Sequence, residues 1–146
     1  LYYSRFCLML SFGKNEEGVP STMKITTFNP LIATKDAESL VKLFEELGFE
    51  RRHEKEGIGL VNATDYRMKD ANGFYVDIVQ VDAAEQDLTQ IRMNVDNLDE
   101  AYELFTSHGF TNTRGDKITE DPTSQGAAMV APSGFTIALS HHIKED

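Results

Sequence analysis

Cysteine is nearly missing from this chain: Cys7 is the only one in 146 residues, so no internal disulfide and no cysteine-based metal cluster can form. A reducing compartment, the cytoplasm, is therefore expected. There is no tryptophan and there are only four prolines. Basic residues are scarce, at 14 Lys and Arg against 24 Asp and Glu, a formal net charge of −10. That balance argues against binding a nucleic-acid phosphate backbone, which needs cationic side chains. It argues equally against an anionic membrane surface. No apolar run approaches the roughly 20 residues that span a bilayer. Composition leaves a small acidic globular protein, with 40% hydrophobic and 26% charged residues.

Residues 1–22 are unlike the rest of the chain. A short apolar stretch, Phe6 to Phe12, leads into a polar, Gly- and Pro-containing segment, Gly13 to Thr22. Arg5 alone makes a poor signal-peptide n-region. Residues 1–22 are expected to be an extension, disordered or upstream of the domain. Residues 23–146 then make one domain opening at Met23.

Two helical patterns stand out. Asp36 to Gly48 carries Leu40, Val41, Leu43, Phe44 and Leu47, and Asn97 to Gly109 carries Ala101, Tyr102, Leu104 and Phe105. Both show the i, i+3, i+4 spacing of a helix with one buried face. Asp36 and Asn97 are natural N-caps, and Gly48 and Gly109 natural C′ residues. The offset between the patterns is constant (104 − 43 = 61) and continues downstream, where Met68 matches Met129, Gly73 matches Gly134 and Phe74 matches Phe135. A shift held through helices and turns indicates an internal repeat of about 23–82 and 86–143.

Each unit reads strand, helix, then three strands. In the first unit the strands are near Ile25–Ala33, Phe49–Glu54, within Gly59–Asp70 and near Phe74–Val81. In the second they are near Leu88–Val95, Phe110–Lys117, Gly126–Ala131 and Phe135–His142. Asn72-Gly73 is a hairpin signal. Neither unit is large enough to bury a good core alone. The fold class expected is α+β: two βαβββ modules forming a curved mixed sheet, a cup with its helices outside. The modules can close within one chain or swap across a dimer.

Strand periodicity sorts the faces. In Leu88–Val95 the apolar Ile91, Met93 and Val95 should meet the helices, and Gln90, Arg92 and Asn94 should line the cup. Shifting back by 61 puts Asn29, Leu31 and Ala33 on the same face, and Tyr75, Asp77, Val79, Thr136, Ala138 and Ser140 belong to it as well. The candidate ligand-binding set is thus Asn29, Leu31, Tyr75, Asp77, Val79, Gln90, Arg92, Thr136, Ala138 and Ser140. Polar groups set against apolar walls suit a small organic ligand. Arg92 either holds a carboxylate or phosphate of that ligand or pairs with Asp77 across the sheet. Asp65, Asp70, Glu120 and Asp121 read as turn and surface charges. His53, His108, His141 and His142 read as edge, helix-end and strand-end residues, one of the last two at the cup rim.

The paired βαβββ pattern, with Ile91-Arg92-Met93-Asn94-Val95-Asp96-Asn97 leading into a helix and Ala131-Pro132-Ser133-Gly134-Phe135 into the last strand, resembles the vicinal oxygen chelate superfamily. Its members include glyoxalase I, bleomycin-resistance proteins, methylmalonyl-CoA epimerase and extradiol dioxygenases. Metal-dependent members place His, Gln or Glu ligands on the first, fourth, fifth and eighth strands. The matching positions here are Asn29, Asp77, Gln90 and Ala138. Two neutral amides, one carboxylate and a methyl group make a poor site for a divalent transition ion. No metal and no other cofactor is expected.

The resemblance implies a metal-independent small-molecule-binding protein of the bleomycin-resistance type, whose acidic charge would favour a cationic ligand. The alternative is a glyoxalase-like lyase or isomerase acting on a small carbonyl compound, with Asp77 as candidate general base if burial raises its pKa. A third reading is a protein-interaction module with an acidic contact surface. A cytoplasmic homodimer is expected.

Overall fold

The computed structural model describes residues 23–58, 63–121 and 124–142. The expectation for residues 1–22 lies outside the described residues. The first module contains β1 (Ile25–Thr34), α1 (Ala37–Glu46), β2 (Glu50–Ile58), β3 (Ala63–Lys69) and β4 (Tyr75–Gln80). The second contains β5 (Leu88–Val95), α2 (Leu98–Ser107), β6 (Thr111–Asn112), β7 (Thr119–Asp121), β8 (Ser124–Val130) and β9 (Thr136–His142).

Both helices start where a side chain can satisfy an orphan amide. Asp36 Oδ1 accepts from the Ser39 amide at 3.3 Å, and Asn97 Oδ1 from the Glu100 amide at 3.1 Å. Both end at a left-handed glycine, Gly48 at φ +105° and Gly109 at φ +90°. The turns before β4 and β9 are also equivalent. The Asp70 and Ala131 amides donate to Phe74 O and Phe135 O, around Gly73 and Gly134.

The strands form one curled mixed sheet in the order β2-β3-β4-β1-β5-β9-β8-β6, with β7 against β8. Within each module the first strand runs parallel to the last: Leu31 pairs with Asp77, and Arg92 with Ala138, 61 residues on in both strands. The modules join through β1 and β5, antiparallel, Asn29 opposite Arg92 and Leu31 opposite Gln90. That register is symmetric under the 61-residue shift, as a pseudo-twofold requires. The two modules therefore close one sheet within a single chain.

Each helix covers its own module's half of the convex face. Ala37, Val41, Met68, Val76 and Ile78 make one core, with Phe44 and Phe49 packed against it. Leu98, Ala101, Met129, Ile137 and Leu139 belong to the other, with Phe105 and Phe110 against it. Ala37 and Leu98, Met68 and Met129, Val76 and Ile137, and Ile78 and Leu139 are repeat mates. The aromatic pairs pack edge-on in both modules, at 5.3 and 5.0 Å between centroids. Met93 and Val95 lie in the core and Arg92 and Asn94 face the other way, as strand alternation predicts.

One element departs from expectation. The strand predicted over Phe110–Lys117 is only Thr111–Asn112. Asn112 turns its buried side chain onto the backbone instead: its Oδ1 accepts from the Arg114 amide at 3.0 Å and its Nδ2 donates to Lys117 O at 2.9 Å. Gly115, at φ +72°, completes the turn. The short β7 comes next, a strand that the sequence pattern does not signal.

Candidate functional site

The concave face of the sheet holds a cavity of about 320 Å³. Its floor comes from β1 (Leu31, Ala33), β4 (Val79) and β5 (Gln90, Arg92), its flanks from Ala63 and Asp65 of β3 and from β8 and β9. The Asn112–Gly115 turn delivers Thr113 and Arg114 to its lining.

The cavity exists because the two modules, alike on their convex side, differ on the concave side. In module one the cup-facing residues of β3 and β4 are Asp65, Arg67, Asp77 and Val79. Their mates in β8 and β9 are Gly126, Ala128, Ala138 and Ser140. One half fills its share of the cup with charged side chains, and the other leaves space. Gly126 is required for backbone reasons too: a Cβ there would stand 2.7 Å from Leu139 O.

The charged half forms one network. Asp77 is fully buried, and its Oδ2 accepts from Arg67 Nη1 at 2.8 Å and from Asn29 Nδ2 at 2.9 Å. Arg92 crosses the floor: Nη1 donates to Asp65 Oδ2 at 2.8 Å and lies 3.4 Å from Asp77 Oδ1, while Nε donates to Asn94 Oδ1 at 3.3 Å. Ser140 Oγ donates to the same Asn94 oxygen at 2.6 Å. Arg67 is also held over the Tyr75 ring, 4.2 Å from its centroid. Removing one member of such a buried ion pair strands the other and typically costs about 3–5 kcal/mol. Among the described residues three buried oxygens nevertheless have no hydrogen-bond partner: Asp65 Oδ1, Asp77 Oδ1 and Gln90 Oε1. Arg92 is near Asp77 Oδ1 as a charge, without hydrogen-bonding geometry.

Asp65 is the titrating group of this network. Burial pushes its carboxyl up to about 7, the Asp77 carboxylate pushes the same way, and the Arg92 guanidinium opposes both.

Of the ten residues read from the sequence, Leu31, Val79, Gln90, Arg92, Ala138 and Ser140 line the cavity. Asn29, Tyr75, Asp77 and Thr136 do not. Asn29 and Asp77 lie in the network, Tyr75 stacks on Arg67, and the Thr136 hydroxyl donates to Gly134 O at 3.1 Å. Asp65, expected as a surface charge, is 5% exposed and lines the cavity. The expectation failed because a lone aspartate in a strand looks like an edge residue until its register is known. A usable signal was present: counting outward from the Asn72-Gly73 turn pairs Arg67 with Asp77, and period two then adds Asp65 to their face. Arg92, expected either to bind a ligand anion or to pair with Asp77, has its Nη1 and Nε committed to protein oxygens. His141 Nδ1 lies 2.9 Å from Val95 O, and His141 is not among the lining residues.

The residues at the four metal-ligand positions do not fit a divalent ion. The one carboxylate, Asp77, is bonded to a guanidinium and an amide, with a second guanidinium beside it. Ala138 offers no donor atom. No group of three or more His, Cys, Asp or Glu side chains among the described residues is arranged to hold a metal.

No family model matches the sequence, and no curated protein does. Solved structures do match. Methylmalonyl-CoA epimerase from Mycobacterium tuberculosis is similar at TM-score 0.61 and 15% identity, over 87% of this chain and 95% of that one. A glyoxalase I variant from Zea mays is similar at TM-score 0.59 and 16% identity, over 88% of this chain and 47% of that one. A glyoxalase/bleomycin resistance protein/dioxygenase superfamily member from Vibrio splendidus 12B01 matches at TM-score 0.50 and 13% identity, over 82% and 100%. With its paired βαβββ modules, curled sheet and outer helices, the chain has the vicinal oxygen chelate fold.

Proposed function

We propose that this chain is a small-molecule-binding protein of the glyoxalase/bleomycin-resistance type that holds a compact organic ligand in its cup without a metal ion. One observation carries the reading: an interlocked Arg67–Asp77–Arg92–Asp65 network takes up Asp77 and, through it, Asn29, two of the four metal-ligand positions, beside a cavity walled by Leu31, Ala33, Val79 and Ala138. Apolar walls with a few oriented polar groups are what small-ligand sites offer. The test is a fragment screen by thermal shift and by amide NMR, with and without a chelator. Hits that shift residues of β1, β4 and β5 and survive the chelator support the reading. A stoichiometric transition metal in the purified protein, with binding abolished by the chelator, overturns it.

A second reading, a lyase or isomerase acting on a small carbonyl compound, is favoured by Asp65. A carboxyl near pKa 7 in a cavity has the basicity a general base needs at neutral pH. Asp77, the base expected from sequence, is bonded to Arg67 and Asn29 and does not line the cavity. This reading predicts that the protein exchanges the α-hydrogen of a small ketone with solvent deuterium, and that Asp65→Asn stops the exchange. The homodimer remains a proposal, tested by light scattering. The cytoplasmic location is one too, tested by cell fractionation. No described helix is long and apolar enough to cross a membrane.

A further inference from the structure

The turn after β6 brings a cation into the cavity that the ion-pair network does not use. β6 stops after two residues, where Asn112 Oδ1 takes the Arg114 amide. The Thr113 amide is tied at 3.0 Å to Ala128 O of β8, itself a lining residue. Module one runs on at the matching place as β2, so the cup has this turn on one side only. Arg114 is thereby fixed in the cavity lining, half-buried. Among the described residues its guanidinium has no ion pair and no hydrogen bond, and the turn holds it through its backbone alone.

The charges around the cavity are therefore out of balance. The lining carries two guanidiniums, Arg92 and Arg114, against one carboxyl, Asp65. Outside the lining Arg67 and Asp77 pair at 2.8 Å. One positive charge is left over, in a molecule whose formal net charge is −10. Burial and the Asp77 carboxylate push the Asp65 carboxyl up to about 7, so at neutral pH the excess is larger still. The polar atoms free to bond are donors as well. Arg92 Nη2 and Gln90 Nε2 bond to no described residue. The unpartnered acceptors, Asp65 Oδ1 and Gln90 Oε1, have almost no accessible surface.

Granting that the cup binds small molecules, we infer that its ligands are organic carboxylates with a compact apolar body: Arg114 takes the carboxylate in its planar fork, and the body lies against Leu31, Ala33, Val79 and Ala138. A monoanion restores the charge balance of the cup, and a guanidinium without a protein partner gives up no protein bond to receive it. This departs from the cation preference that the net charge suggests. Among the described residues the buried carboxyls are Asp65 and Asp77, and the other acidic side chains act from nearer the surface through water and salt. They slow the approach of an anion, while the lining sets how long it stays.

The test uses three probes that share a ring and differ only in the polar head: benzoate, benzamide and benzamidinium. Binding is followed by amide NMR on the full chain. Benzoate is expected to shift the Thr113 and Arg114 amides and to bind about tenfold more tightly than benzamide, the effect of one charge-assisted contact at a half-buried site. Benzamidinium is expected to bind most weakly. Arg114→Gln should bring benzoate down to the level of benzamide, and Arg114→Lys should restore part of the difference. Neither variant breaks a side-chain contact of the fold, and an unchanged amide spectrum of α1 and α2 checks this. Benzamide or benzamidinium binding as tightly as benzoate overturns the inference. So does an undiminished preference for benzoate in Arg114→Gln. In either case the small-molecule reading stands. If all three probes fail, the occupants drawn from a broad fragment library decide. Carboxylates among them take the place of benzoate in the Arg114→Gln comparison, and a set without carboxylates overturns the inference alone. If no fragment occupies the cup, the proposed function falls together with the inference.

Discussion

Asp65 and its repeat mate Gly126 show how one residue changes what the cup can do. At one position of the repeat stands a buried carboxyl. At the other stands a residue with no side chain, backed against Leu139 O. Because burial raises the folded-state pKa of Asp65 to about 7 from the ordinary 3.8, the folded chain holds a proton that the unfolded chain has lost across that window. The contribution of Asp65 to stability is thus greatest below about pH 4, falls as pH rises through about 7, and is level above. Asn cannot titrate. The melting temperature of Asp65→Asn should therefore gain on that of the unaltered chain between pH 5 and pH 8, measured in the same salt. A difference independent of pH would show that the carboxylate is buried without cost.

At the scale of the element, the two helices occupy the same place in their modules but start differently. Asn97 caps α2 with a neutral amide oxygen. Asp36 caps α1 with a carboxylate that accepts from both the amide and the hydroxyl of Ser39, and these bonds hold its pKa below the usual value. Asn97→Ala should cost about 1 kcal/mol at any pH in denaturant unfolding. Asp36→Ala should be destabilising above the ordinary carboxylate value of 3.8, and its penalty should fade as pH falls through the lowered folded-state pKa. Equal fading for both variants would mean that the Asp36 effect is not its charge.

At the scale of the molecule, the modules hold each other. β1 and β5 are the central pair, and each is an unpaired edge without the other module. Each half has one helix over its strands and only half of the cup. Residues 23–85 or 86–146 expressed alone should lack a cooperative thermal transition, as expected of units too small to bury enough surface. Mixing the halves should restore the transition by re-forming the β1–β5 ladder. A half that melts cooperatively alone would mean that the pairing adds little.

The repeat was legible in the sequence because it lives in local signals: Asp36 and Asn97 before apolar stripes, Gly48 and Gly109 after them, Gly73 and Gly134 in turns. Caps, stripes and left-handed glycines are decided by residues a few positions apart, so the 61-residue shift and the βαβββ order follow from the chain alone. Period two likewise put Leu31, Val79, Gln90, Arg92, Ala138 and Ser140 on one face, and all six line the cavity. Tertiary structure alone decided which charges meet. Arg92 and Asp65 lie three strands apart across the sheet, and no spacing along the chain brings them to 2.8 Å. Burial is also a property of the closed cup, so Asp65 turned from an apparent surface charge into a titrating group only once the surrounding strands had excluded water from it.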